Sequence, residues 1–138
     1  MTTAGVAYTI VGASGAAILS VVWPEAVARY PSLTPEEQLI AVAQFEGFTQ
    51  MVHGGLWNLM DGITGGVWFL SVGMFFKSQS KLYEYWAIAI GIFLLLDSIG
   101  NMLQISLVSE IALNLYLILV PLWAIALGLH IARNKWVV

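Results

Sequence analysis

Four long apolar stretches constrain this chain more than any other feature of its sequence. They cover residues 5–23, 51–76, 82–103 and 111–132. A helix needs about 20 largely apolar residues to cross a bilayer, and each stretch has roughly that length. Only 9% of the residues are charged, whereas soluble domains carry about 25%. The sequence therefore predicts an all-α integral membrane protein, a single domain built as a bundle of four transmembrane helices.

Several functional classes are excluded or disfavoured by composition. The chain has only 5 Lys and Arg residues and no basic cluster, so no nucleic-acid partner is predicted. It has no Cys, which removes disulfide scaffolds, thiol catalysis and Cys-ligated metals. It has no Gly-rich phosphate loop, no Ser/His/Asp arrangement and no zinc motif. We therefore predict no catalytic residue, metal site or cofactor, and the sequence disfavours an enzyme.

The positions of Lys and Arg predict the orientation of the bundle. Lys77 and Lys81 lie between the second and third stretches, and Arg133 and Lys135 follow the fourth. Arg29 is the only Lys or Arg residue of the sequence that falls on the opposite side. Because cytoplasmic loops are enriched in Lys and Arg, both termini are predicted to be cytoplasmic. The expected location is the bacterial inner membrane, with the lipid bilayer as the main partner.

The connection between the first two spans marks the outer membrane interface. Trp23 and Tyr30 are aromatic anchors of the kind found where hydrocarbon meets water. Between them and just beyond, the two prolines of residues 24–32 predict an irregular turn.

A helix start follows that turn. Thr34 is the predicted N-cap, and Glu37 is placed to close a capping box with it. The sequence predicts an amphipathic interfacial helix over about residues 35–46, before the second span. Since nothing but glycine interrupts helical sequence before residue 76, a bend is expected between Gly47 and Gly55.

Two carboxylates lie inside the apolar stretches. Asp61 is fifteen residues before Phe76, and Asp97 is fifteen residues after Leu82. Because the second span runs inward and the third outward, both are expected about 22 Å above the inner boundary. A charge at the bilayer centre costs about 2.5 kcal/mol or more, so each carboxylate requires a reason.

Three amides extend this pair into a polar layer in the outer half of the bilayer. Asn58 and Asn101 lie about one helical turn further out than the two Asp residues, on the same faces. Asn114 of the fourth span reaches a comparable level. If Asn101 bonds to Asp61 and Asn58 bonds to Asp97, this layer holds the helices together as a purely structural contact and needs no ligand.

A row of polar side chains predicts an approach to the layer from outside. Glu46, Gln50 and His53 are spaced by four and three residues and share a helical face with Asp61. Gln104 extends the third span's face in the same direction. His53 is interpreted either as a proton relay or ligand, or as an interfacial histidine.

These patterns support two hypotheses of function. In the first, Asp61 and Asp97 bind a proton, a small cation or the amine of a ligand, with Asn58, Asn101, Asn114 and His53 around them, and the chain takes part in cation-linked transport. In the second, the chain is a non-catalytic accessory subunit of a larger membrane complex or a homo-oligomer.

Two further expectations concern packing and helix ends. The glycine stripe that contains Gly62 and Gly66 is expected to pack closely against the first span. Glu84 and Glu110 are expected to be solvated residues at helix ends.

Overall fold

The apolar stretches fold into long helices joined by short connections. The computed structural model describes residues 2–134. Its elements in chain order are α1 (Thr2–Arg29), a 3₁₀ turn (Tyr30–Ser32), α2 (Pro35–Gln50), a π-helical segment (Met51–Asp61), α3 (Gly62–Phe76), α4 (Lys81–Met102) and α5 (Ser106–Asn134). Within the described residues there is no strand, and four helical rods are long and apolar enough to cross a membrane. The prediction of an all-helical chain with four such helices is confirmed.

The predicted irregular turn over residues 24–32 is mostly wrong. α1 continues through Pro24 to Arg29, and only Tyr30–Ser32 forms a tighter 3₁₀ turn. The residues that follow Pro24 are Glu, Ala, Val, Ala and Arg, most of which favour helix. The α-helix ends where Pro31 restricts the backbone of the residue before it.

The predicted start of α2 is confirmed. The backbone N–H of Glu37 donates to Thr34 Oγ1 at 3.4 Å, and the backbone N–H of Thr34 donates to Glu37 Oε2 at 2.8 Å. This reciprocal pair satisfies N–H groups that the first helical turn leaves without partners.

The helix that begins at Pro35 does not end before Phe76, a length of 42 residues. Instead of a break between Gly47 and Gly55, the backbone changes to π-helical hydrogen bonding over Met51–Asp61. At 1.5 Å per residue the rod is about 60 Å long, roughly twice the thickness of a hydrocarbon core. π-Helical turns are rare overall but are over-represented at functional sites, and this segment ends at the carboxylate-bearing residue Asp61.

The glycine stripe packs against α4, so the expectation that it faces the first span is wrong. A Cβ atom on Gly66 would lie 3.1 Å from the carbonyl oxygen of Gly91, and one on Gly62 would collide with the hydroxyl of Ser98. The absence of side chains thus lets the α3 and α4 backbones approach closely. The core beside this contact is formed by Phe69, Ile90 and their neighbours.

α5 packs along the other side of α4. The hydroxyl of Tyr83 donates to the carbonyl oxygen of Ala126 at 3.0 Å, and its ring lies 5.3 Å from that of His130. The beginning of α4 therefore lies beside the end of α5. This places Lys77, Lys81 and Arg133 at one end of the bundle, whereas Lys135 lies outside the described residues.

The expectation that Glu84 is solvated is wrong. Its residue is only 7% exposed, and its carboxylate accepts a hydrogen bond from Lys81 Nζ at 2.6 Å. The first turn of α4 is held against α3 beside Gly73, which brings the carboxylate into the bundle.

Candidate functional site

Asp61 and Asp97 lie on neighbouring helices at the same level, as the residue count predicts. Asp61 precedes Gly62 and Asp97 precedes Ser98, and Gly62 and Ser98 are in direct contact between α3 and α4. The side chains nevertheless enter different surroundings. Asp97 lies toward α5, and Asp61 lies toward α1.

Asp97 is held by an amide chain. Asn101 Nδ2 donates to Asp97 Oδ1 at 2.7 Å and to the Asp97 carbonyl oxygen at 2.9 Å. Asn58 Nδ2 in turn donates to Asn101 Oδ1 at 3.4 Å, across the helix interface. The sequence places these three side chains together correctly. The anticipated bonds from Asn58 to Asp97 and from Asn101 to Asp61 do not form, because Asn101 turns back onto its own helix.

A cavity of about 310 Å³ opens beside this chain, between the π-helical segment, the end of α4 and the beginning of α5. It lies at the lower end of the size range of small-ligand pockets. Seven of its lining residues carry polar side chains, and two of these are acids. The lining residues are Asn58, Asp97, Gly100, Asn101, Gln104, Ser106, Ser109, Glu110 and Leu113.

The corner between α4 and α5 shapes the mouth of the cavity. Gln104 has a φ of 58°, in the left-handed backbone region that residues other than glycine rarely adopt. This backbone turn lets Ile105 N–H donate to the carbonyl oxygen of Gly100 at 2.8 Å, so that α5 starts within three residues. Gln104 Nε2 donates to the carbonyl oxygen of Asn101 at 2.9 Å, which fixes the amide at the cavity rim.

Ser106, Ser109 and Glu110 were not expected in a site. They follow α4 by only a few residues, and the sharp reversal at Gln104 brings them opposite Asp97. Glu110 is largely exposed, as expected of a helix end, but it also lines the cavity. The available signal for these residues was their position. They form a polar cluster at the start of the last span, directly after the polar end of the third.

Asp61 does not line this cavity. Its carboxylate lies against Gly12 of α1, where an added Cβ would be 3.4 Å from Oδ1. That oxygen is buried and has no hydrogen-bond partner. The carboxylate also lies close enough to Tyr8 and Tyr116 to act on both phenols electrostatically. Asp61 is thus part of a second polar cluster, on the α1 side of the bundle.

The two tyrosines of this cluster were absent from the sequence-based expectations. Their phenol oxygens lie 2.7 Å apart and join α1 to α5. The available signal was a phenol hydroxyl within a predicted span at each position, the first span for Tyr8 and the fourth for Tyr116. Which way such a side chain points depends on helix rotation, which composition does not reveal.

His53 lies in an aromatic cluster toward the end of α1. Its ring stacks on Trp23 at 6.4 Å and meets the edge of Trp57 at 4.8 Å. Its Nε2 atom is buried without a hydrogen-bond partner. Trp57 Nε1 donates to the carbonyl oxygen of Gly12 at 3.2 Å, so this cluster packs against α1 rather than lining the cavity.

The remaining predicted residues are more peripheral. Glu46 and Gln50 are exposed, and the change to π-helical geometry after Gln50 interrupts the α-helical face that was predicted to run on to Asp61. Asn114 is exposed on α5, outside the cavity, and its Nδ2 donates to the carbonyl oxygen of Glu110 at 2.7 Å.

No metal-ligand cluster is found in the part of the chain that the structure describes. Within residues 2–134, no three His, Cys, Asp or Glu side chains are grouped so that they could hold a metal ion.

Comparison with known proteins adds no relative. No protein-family model, no curated protein and no solved structure matches this chain.

Proposed function

We propose that the chain is a multi-pass membrane protein that binds a small cation or an amine-bearing ligand in the cavity beside Asp97. Both termini face the cytoplasm in this proposal, so that the cavity lies in the outer half of the bilayer. Residues 35–46 then form the outer, interfacial part of the long second helix. Binding from outside is one step of cation-linked transport, the process in which we place the protein.

The charge of the cavity lining carries the proposal. It contains two carboxylates, of Asp97 and Glu110, and no Lys, Arg or His. Asp97 is only 3% exposed, and a carboxylate at that depth is costly unless an opposite charge or hydrogen bonds compensate it. Asn101 supplies hydrogen bonds to Asp97 but no charge. A bound cation supplies the charge that the lining lacks.

The amide and hydroxyl groups of the lining suit such a ligand. Asn58, Asn101 and Gln104 each carry a carbonyl oxygen, and Ser109 carries a hydroxyl. Oxygen atoms of this kind replace the hydration shell of a small cation or accept hydrogen bonds from an ammonium group. The cavity volume of about 310 Å³ accommodates an ammonium-bearing ligand of a few heavy atoms.

Asp61 supports this site from outside the cavity. It lies level with Asp97 on the neighbouring helix, so its charge raises the local preference for cations without contact. We therefore assign direct binding to Asp97 and a weaker, longer-range contribution to Asp61.

Equilibrium binding of radiolabelled sodium and methylammonium to the purified full chain in detergent tests the proposal. We expect saturable binding of at least one probe. Asp97→Asn is expected to weaken it by about 30-fold or more, since losing one partner of a buried charge pair costs about 2 kcal/mol or more. Absence of saturable binding of both probes, or unchanged affinity in Asp97→Asn, would overturn the proposal.

Two further variants separate binding from folding. Glu110→Gln changes a largely exposed lining residue, so we expect it to fold normally and to weaken binding less than Asp97→Asn. Glu36→Gln makes the same chemical change on α2, outside the cavity, and is the matched control. Equal affinities for Glu110→Gln and Glu36→Gln would contradict the assignment of Glu110 to the site.

A second candidate function is that of an accessory subunit in a larger membrane complex or homo-oligomer. The observation that favours it is the amide of Asn114, which is exposed on the surface of α5. Polar side chains in membrane helices usually face other helices. Native mass spectrometry of the gently extracted protein tests it. Association that Asn114→Leu abolishes supports this role, and an isolated monomer contradicts it.

A further inference from the structure

A groove of about 590 Å³ lies between the end of α1 and α2, at the end of the bundle that the proposed orientation places outside. It is separate from the cavity beside Asp97, and it uses none of the side chains assigned to cation binding. Its floor is mostly apolar and includes Val22, Ile40, Phe45 and Phe48. Its rim carries charged and aromatic groups, including Glu25, Arg29 and Tyr30.

The groove lies where lipid headgroups are expected. Trp23 and Tyr30 are 39% and 41% exposed, as suits interfacial anchors, and they flank this end of α1. Apolar surface toward the spans and charge at the rim match a phospholipid with its acyl chain on the floor and its headgroup at the rim.

Two of the three charged residues that line the groove fit a zwitterionic headgroup, since the carboxylate of the third, Glu37, already accepts hydrogen bonds from Thr34. Glu25 and Arg29 are four residues apart in the last turns of α1, so they lie on the same side of the helix, about 5–6 Å apart at their Cβ atoms. Although this spacing permits an ion pair, neither side chain forms one within residues 2–134. Both charges therefore remain available to a ligand.

We propose that this groove binds a phospholipid that carries a primary ammonium group, such as phosphatidylethanolamine. Its phosphate and ammonium groups are separated by two carbons, and they would pair with Arg29 and Glu25 respectively. A quaternary ammonium headgroup has no N–H to donate to the carboxylate. An anionic glycerol headgroup offers no cation to Glu25 and is repelled by that carboxylate.

Lipid retention by the full chain tests this proposal. The purified protein is delipidated in mild detergent, then exposed to equal amounts of phosphatidylethanolamine, phosphatidylcholine and phosphatidylglycerol, and examined by native mass spectrometry. We expect one retained lipid per chain, with phosphatidylethanolamine preferred. Arg29→Ala is expected to reduce its retention about fivefold, the effect of losing one exposed charge contact.

Matched variants make the result specific to the groove. Arg133→Ala removes a cation at the opposite end of the bundle and should retain lipid as the unmodified protein does. Ala41→Leu fills the groove, whereas Ala43→Leu adds the same atoms to an exposed position of α2 that does not line it. Only Ala41→Leu should lower retention.

Three outcomes would overturn the proposal. They are equal retention of the three lipids, equal effects of Arg29→Ala and Arg133→Ala, and a lipid-free dimer that Ala41→Leu dissociates. The last outcome would assign the groove to a second copy of the chain. Since this site shares no residue with the cavity beside Asp97, cation binding and lipid retention can fail independently.

Discussion

The phenol oxygens of Tyr8 and Tyr116 lie 2.7 Å apart, and this hydrogen bond joins α1 to α5. These two helices otherwise pack on different partners, α1 on the π-helical segment and α3, and α5 on α4. The tyrosine pair thus closes the bundle between two helices whose main packing is with other elements. It lies beside Asp61, so the closure and this carboxylate belong to the same cluster.

Removing either hydroxyl should loosen this closure. Tyr8→Phe and Tyr116→Phe are each expected to lower the free energy of unfolding by about 0.5–1.5 kcal/mol, the range for hydrogen bonds between membrane helices. The double variant should cost less than the sum, since either single change already breaks the bond. Reversible unfolding in mixed micelles measures the free energy of unfolding of the unmodified protein, the two single variants and the double variant.

Tyr85→Phe is the matched control for that cycle. Its side chain is 65% exposed at the start of α4, so we expect no comparable loss. Additive effects of Tyr8→Phe and Tyr116→Phe would show that the two phenols do not share a bond in the folded protein.

The helices, their levels and the α2 cap could be predicted from sequence, because they depend on length, period and local hydrogen bonding. The shared level of Asn58 and Asn101 followed from counting 1.5 Å per residue along antiparallel spans, whereas the hydrogen bond between them did not. The separation of Asp61 from Asp97 did not follow, because it depends on rotation of each helix about its axis. The π-helical segment changes that rotation before Asp61, and no residue pattern in the sequence predicts the size of the change.

The contact between Gly66 and Gly91 predicts that the cost of a glycine-to-alanine change depends strongly on its position. A Cβ on Gly91 would lie 2.9 Å from the carbonyl oxygen of Gly66 and 3.0 Å from the backbone nitrogen of Leu70. Backbone atoms cannot move aside without separating α3 from α4. Gly91→Ala is therefore expected to cost about 1–3 kcal/mol of stability, measured by the same unfolding assay.

Gly128→Ala provides the contrast, since no heavy atom beyond the neighbouring residues and the local helix backbone lies within 4 Å of a Cβ there. Alanine restricts the unfolded chain more than glycine does, so this change should be neutral or stabilising by up to about 1 kcal/mol. Similar losses for Gly91→Ala and Gly128→Ala would argue against close approach of the α3 and α4 backbones.

The amide chain beside Asp97 predicts unequal roles for its two asparagines. Asn101 donates to Asp97 and accepts from Asn58, whereas Asn58 makes only the longer bond, of 3.4 Å. Asn101→Leu leaves the buried carboxylate without its donor and should cost about 1–3 kcal/mol. Asn58→Leu should cost about 0.6 kcal/mol. Unfolding assays that rank the two variants in the opposite order would contradict this hydrogen-bond arrangement.

The cap of α2 predicts a pH dependence outside the membrane spans. Hydrogen bonds from the side chain and backbone of Thr34 lower the pKa of Glu37 below its usual value. A carboxyl group with a lowered folded-state pKa stabilises the fold above its unfolded pKa, about 4.3. That contribution is lost as pH falls from there through the folded-state value. Amide-exchange protection in the first turn of α2 should therefore fall below about pH 4.3.

Substitutions at adjacent acids test whether Glu37 is responsible. Gln keeps a capping oxygen but does not titrate, so Glu37→Gln should flatten the pH dependence of protection in this turn. Glu36→Gln removes a neighbouring carboxylate for which the structure shows no capping bond, and it should keep the unmodified profile. Thr34→Ala should lower protection at every pH, by about 1 kcal/mol above pH 5, where the cap is fully formed. If Glu36→Gln rather than Glu37→Gln flattens the profile, the titrating group is not the capping carboxylate.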